Sequence, residues 1–177
     1  MTIDTKDMLN SILTSISRID YVKPEDIPNI DLYMDQVTTF MEEQLCSAKR
    51  REEDKVLTKT MINNYAKNNL LPPPVKKKYS REHILVMIFI YYFKNILSIK
   101  DIETMLNPIT EKYFDNGKDF NMTSIYEEIC RLEKSRIDAL QKDVAKSYHH
   151  AMSRFPDAPS EERDYLQFFA FICSLSF

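Results

Sequence analysis

Three consecutive prolines, Pro72 to Pro74, followed after Val75 by Lys76, Lys77 and Lys78, cut the middle of this chain into a helix, a stop and a new helix. Proline lacks the N–H that an i→i−4 bond needs and its ring clashes with the preceding turn, so no helix runs through this stretch. Upstream, LTKTMINNYAKNN opens at Thr58, whose hydroxyl can accept from a first-turn amide, and Met61, Ile62 and Tyr65 form a narrow apolar stripe. Asn63, Asn64, Lys67 and Asn68 must then face elsewhere, and Asn69 suits a left-handed C-cap. Downstream, Val75 to Tyr79 has the length of one strand of a small hairpin. SREH then starts a helix through Ile84, Met87, Ile88, Tyr91 and Tyr92.

The chain has a single glycine, Gly117, in 177 residues, which argues against Rossmann crossovers, P-loops and tight-turned barrels. A mainly α protein is expected. The three cysteines, Cys46, Cys130 and Cys173, are odd in number and far apart, so neither a disulfide framework nor a zinc module is indicated. The N-terminus lacks a secretory pattern, and the longest apolar run, Ile84 to Phe93, is half the length of a membrane span of about 20 residues. A cytoplasmic protein without membrane association is therefore expected.

Around the central segment, Thr5 to Ile19 carries Met8, Leu9, Ile12, Ile16 and Ile19 at helical spacing, closed by Pro24 and Pro28. Asp31 to Leu45 reads as a second helix with Leu32, Met34, Val37, Phe40, Met41 and Leu45 on one face, and CSAKRREEDKV as a loop or a frayed helix end. The helix from Ile84 is apolar nearly all round and needs cover on more than one side. Ser98 to Leu106 makes a short helix before a loop containing Pro108 and Asn116-Gly117. Ser124 and Glu127 offer a capping box for a helix of about 30 residues, with Ile125, Ile129, Leu132, Ile137, Leu140, Val144, Tyr148, Met152 and Phe155 along one stripe. The apolar DYLQFFAFICSLSF after Ser160 must fold back on that helix or cross to a second subunit.

Charge is unevenly placed. Residues 49 to 100 hold twelve Lys/Arg against four Asp/Glu, a net +8, between flanks of −6 and −5. A basic segment between acidic ones suggests a face for a polyanion, its alternative being an ordinary solvated surface.

The run from Thr58 to Leu106 resembles the DNA-binding domain of MerR-type regulators. MINNYAKNNLLPPP is similar to their recognition helix and its exit, KKKYS to the end of their wing, and ILVMIFIYYFKNILSIKDIETML to the helix pair that follows. The whole chain resembles an uncharacterised bacterial family, a domain of unknown function with a MerR-like winged helix. The resemblance implies a winged helix-turn-helix with a small β wing at 31–107, an N-terminal helix and linker at 1–30, and a helical packing or dimerisation region at 108–177. The family's arginine and first tyrosine fall on Asn63 and Asn64, and its helix-ending glycine on Asn69. An asparagine can pair bidentately with adenine, so base reading remains open at those positions.

The residues expected at DNA are therefore Lys59, Thr60, Asn63, Asn64 and Lys67 on the open face of the recognition helix, Lys76, Lys77 and Lys78 on the wing, and Arg81 one residue into the next helix. Strand alternation would turn Lys77 away from its two neighbours. Arg81 either holds phosphate or pairs with a nearby acid, and Tyr65 either packs in the core or donates to phosphate. Lys49, Arg50 and Arg51 extend the footprint unless Glu52, Glu53 and Asp54 neutralise them. His149 and His150 point about 100° apart on a helix and read as an exposed pair rather than metal ligands. No nucleophile with a base and no carboxylate pair is visible, so no catalytic residue, metal or cofactor is expected.

The expected activity is sequence-specific binding of double-stranded DNA as a bacterial transcriptional regulator and homodimer, the effector being unspecified. The alternatives are a helical protein-protein adaptor that reuses the fold and an architectural, excisionase-like DNA-binding protein.

Overall fold

The structure, a computed structural model, describes residues 4–17, 21–49 and 53–176. In chain order the elements are α1 (Thr5–Ser17), β1 (Leu32–Tyr33), α2 (Met34–Leu45), α3 (Lys59–Lys67), β2 (Lys78–Tyr79), α4 (Arg81–Phe93), α5 (Ile99–Tyr113), α6 (Met122–Met152) and α7 (Ser160–Ser176). Short 3-10 turns lie at Pro24–Asp26 and Cys46–Ala48. The chain is mainly helical, with one two-stranded antiparallel sheet among the described residues. It divides into two compact units, one formed by residues 20–131 and the other by residues 1–19 with 132–177.

In the unit formed by residues 20–131, the centre is α4. Every residue from His83 to Tyr91 is buried, as its all-round apolar sequence requires. Val37, Met41 and Leu45 of α2, Ile62 and Tyr65 of α3, and Ile102 and Leu106 of α5 share the same core. Met122 and Tyr126 from the start of α6 join it, and the Tyr126 hydroxyl donates to the Val22 carbonyl at 2.6 Å.

Several boundaries differ from the sequence expectation. The helix expected from Asp31 begins at Met34, because Leu32 and Tyr33 pair with Tyr79 and Lys78 instead. Gln36 Oε1 accepts from the Tyr33 N–H at 2.9 Å and marks the start. The strand expected over Val75–Tyr79 is only Lys78–Tyr79. Val75 meets Lys78 across a two-residue turn, so Lys76 and Lys77 are turn residues and the strand alternation expected for Lys77 does not apply. Helix α5 continues through Pro108 to Tyr113. The carbonyl that Pro108 leaves unpaired belongs to Thr104, which is exposed to water. Asn121, not Ser124, opens α6: its Oδ1 accepts from the N–H groups of Thr123 and Ser124 at 2.9 and 3.2 Å.

In the other unit, α1, the later turns of α6 and α7 surround Val144, Tyr148, Ala151, Phe168 and Phe171. The apolar α7 thus folds back on α6. Gln167 Nε2 donates to the carbonyls of Met152 and Arg154, both at 2.8 Å, and so closes the end of α6 with a side chain from α7. Leu9, Ile12 and Ile16 of α1 pack on this cluster, while Met8 is exposed and Ile19 lies outside the described residues. The stripe expected along α6 is not continuous: Ile129, Leu132 and Leu140 are exposed.

Candidate nucleic-acid interface

Helix α3 is held at both ends by its own residues. Thr58 Oγ1 accepts from the Met61 N–H at 3.2 Å. At the other end Asn69 adopts φ 56°, Leu70 N–H donates to the Tyr65 carbonyl at 2.9 Å and Asn69 N–H to that of Ala66 at 3.3 Å. This is the Schellman arrangement, with asparagine in the left-handed position that glycine usually fills. Ile62 and Tyr65 anchor the inner face. Lys59, Thr60, Asn63, Asn64 and Lys67 are all exposed on the outer one, joined by Asn68.

Residues four apart on a helix lie nearly one above another. The outer face is therefore two rows, Lys59–Asn63–Lys67 and Thr60–Asn64–Asn68. Asn63, Asn64 and Lys67 have no side-chain partner among the described residues. Lys59 forms an ion pair with Asp35 of α2, but both side chains are more than half exposed, so water screens the pair to about 1 kcal/mol or less.

The lysine turn is a second polar surface on the same unit. Val75 N–H donates to the Lys78 carbonyl at 3.1 Å and Lys78 N–H to that of Val75 at 2.9 Å, bracketing Lys76 and Lys77. Their φ values are 50° and 64°, the pair of left-handed residues that a type I′ turn needs. Both ammonium groups are exposed at the tip. Lys78 differs, lying half-buried with its Nζ 5.2 Å from the centre of the Tyr33 ring.

His83 links this turn to α4. Its Nδ1 accepts from the Ser80 N–H at 3.0 Å, in the place a capping-box glutamate would hold, and its Nε2 lies 3.4 Å from the Pro73 carbonyl. The ring is packed edge-on between Tyr79 and Phe114. Burial is the main influence on it and lowers its pKa.

Arg81 is held by backbone. Its Nη1 and Nη2 donate to the carbonyls of Ile27 and Pro24 at 2.5 and 2.6 Å, so its partner is backbone and not the nearby acid considered from sequence. Tyr65 packs in the core. Lys49 pairs with Glu42, whose other oxygen accepts from the Val56 N–H at 3.1 Å and pins the charged insertion to α2. Arg50, Arg51 and Glu52 lie outside the described residues. A groove of about 750 Å3 runs between α2 and the first turn of α3, but Glu42 and Glu43 line it beside Lys55 and Lys59, which disfavours an anion there. Sequence reasoning missed Asp35, Glu42 and Tyr33, which act through contacts with residues many positions away. It undervalued His83, whose spacing of three from Ser80 is the signal of a cap.

Among the described residues no helix is long and apolar enough to cross a membrane, and no group of three His, Cys, Asp or Glu side chains is placed to hold a metal. His149 and His150 are both exposed. Neither the curated proteins nor the solved structures give a match. A family model described as a domain of unknown function, DUF1836, matches residues 22–129, which lie two residues inside each end of the compact unit 20–131 and include α3 and the lysine turn. Because that match spans more than half of the chain, the protein belongs to the DUF1836 family.

Proposed function

We propose that this protein binds double-stranded DNA sequence-specifically as a bacterial transcriptional regulator acting in the cytoplasm, with α3 in the major groove and the lysine turn on phosphates. The reading is carried by the outer face of α3, whose Thr60, Asn63, Asn64 and Lys67 stand exposed on a helix rigidly closed at both ends. An α-helix with its side chains is about 10–12 Å across, which fits a major groove about 12 Å wide. The order β1–α2–α3–turn–β2–α4 supports a MerR-like winged helix-turn-helix, with the I′ turn as its wing. Lys76 and Lys77 supply cations, Lys78 and Arg81 being the less available of the expected contacts.

The protein acts in this reading as a homodimer, since two-fold proteins read paired half-sites. The exposed row Tyr165, Phe169 and Ile172 on α7 supports self-association. It equally favours a protein-protein adaptor, and the same experiment separates the two.

Selection of duplexes from a random pool, followed by titration at several salt concentrations, tests the proposal. A recovered motif with a steep salt slope is expected, each phosphate contact adding about −0.9 to the slope. A steep slope without a motif would favour an architectural protein, and no binding at low salt would sink both in favour of the adaptor. Light scattering that showed a strict monomer with and without DNA would remove the dimer.

A further inference from the structure

We infer that α3 reads adenine, through the side-chain amides of Asn63 and Asn64, so that the DNA ligand carries an A·T pair at the centre of each α3 footprint. The inference rests on the duplex-binding reading and adds its base specificity. Each outer row of α3 has an asparagine at its middle: Lys59–Asn63–Lys67 puts a cation on either side of an amide, and Thr60–Asn64–Asn68 is uncharged throughout. Cations at the row ends suit phosphates, and the neutral middle is what meets base edges.

The amide has one donor edge and one acceptor edge. Adenine alone offers the matching pair in the major groove, an N6 amino donor beside the N7 acceptor. Guanine presents two acceptors, O6 and N7, so an amide oxygen turned toward it is repelled. Cytosine offers a donor only, and thymine an acceptor beside a methyl group. The two asparagines are available for this: neither side chain has a partner among the described residues, and the Thr58 cap and the Asn69 turn fix the helix that carries them. Consecutive positions differ by about 1.5 Å in rise and 100° in direction, which lets one asparagine face a base while the other addresses the neighbouring pair. Thr60, one turn before Asn64, adds a methyl group of the kind that packs on the C5-methyl of thymine.

The test uses the full chain and duplexes recovered from a random pool. An adenine is expected at one or two adjacent positions of each half-site. Replacing it with 7-deazaadenine, which keeps the base pair and the N6 donor but lacks the N7 acceptor, should weaken binding by about 2- to 12-fold, the net worth of the one hydrogen bond lost. Asn63→Ala or Asn64→Ala should abolish that sensitivity while leaving the salt slope unchanged, because no phosphate contact is lost. Both positions are exposed, so the variants fold. Binding with a steep salt slope but no adenine in the motif, or with indifference to 7-deazaadenine, would overturn the inference and leave duplex binding standing. Absence of duplex binding at low salt would overturn both.

Discussion

Replacing Lys76 with Asn and Lys77 with Gly should make the protein more stable and its DNA binding weaker, two effects of opposite sign from one turn. Both lysines sit at positive φ, 50° and 64°. There a side chain with a Cβ crowds its own carbonyl at a cost of roughly 1–2 kcal/mol per residue. Asparagine and glycine adopt that region readily, and Asn-Gly is the preferred pair for a type I′ turn. Glycine gives back roughly 0.5–1 kcal/mol through the greater freedom of the unfolded chain. Asparagine keeps its Cβ, so the relief is counted at Lys77 alone, and a net gain of up to about 1.5 kcal/mol remains, corresponding to up to about 6 °C in Tm for a chain of this size. The same change removes two exposed ammonium groups and should flatten the salt slope of duplex binding by about 1.8. Thermal unfolding followed by circular dichroism and fluorescence-anisotropy titrations at four salt concentrations read the two effects separately. A lower Tm would refute the turn geometry. An unchanged salt slope at normal stability would refute the role given to these lysines.

Other perturbations probe the interior. Burial holds His83 in its neutral form with a pKa below the ordinary imidazole value of about 6.5, so the unfolded chain takes up that proton first as pH falls. Its contribution is fully present above that value and is lost on acidification below it. His83→Gln keeps a capping-box residue at the same position and should reduce the fall in urea midpoint between pH 7.5 and 5, an equal fall in both proteins counting against it. Glu42→Ala leaves the Val56 N–H and Lys49 unpartnered. It should cost about 1 kcal/mol and open the stretch around Val56 to proteolysis ahead of α4, and unchanged digestion would show that the carboxylate does not hold it. Phe171 is fully buried against Tyr148 and Phe168. Phe171→Ala should cost about 3–5 kcal/mol, seen as early loss of α-helical signal on urea titration, and a loss under 1 kcal/mol would mean the cluster is not packed as described.

Much of the unit that carries the candidate site is legible in the chain, because its signals act over three or four residues. Thr58 caps α3, Asn69 turns it off, the prolines keep it from resuming, and Ser80 starts α4, each through atoms of immediate neighbours. The exposed faces of Lys59, Thr60, Asn63, Asn64 and Lys67 follow from the spacing of Ile62 and Tyr65. Arg81 was not legible in this way: its carbonyl partners at Pro24 and Ile27 lie more than fifty residues earlier. The same holds for β1, two residues long and without a period to detect, which exists because Tyr79 and Lys78 come to lie beside it.

The sequence by itself thus determined where helices stop and start around the prolines, that α4 is buried on all sides, and which side chains of α3 face outward. These depend on dihedral restrictions, caps and the 3.6-residue period, all set within a few positions. Only the tertiary structure decided that Lys76 and Lys77 form a left-handed turn, that Lys59 meets Asp35, that Arg81 points at backbone, and that α7 folds back while the middle of α6 stays exposed. Those outcomes turn on which distant groups compete for each hydrogen bond and apolar face, and that competition is settled only when the chain has packed.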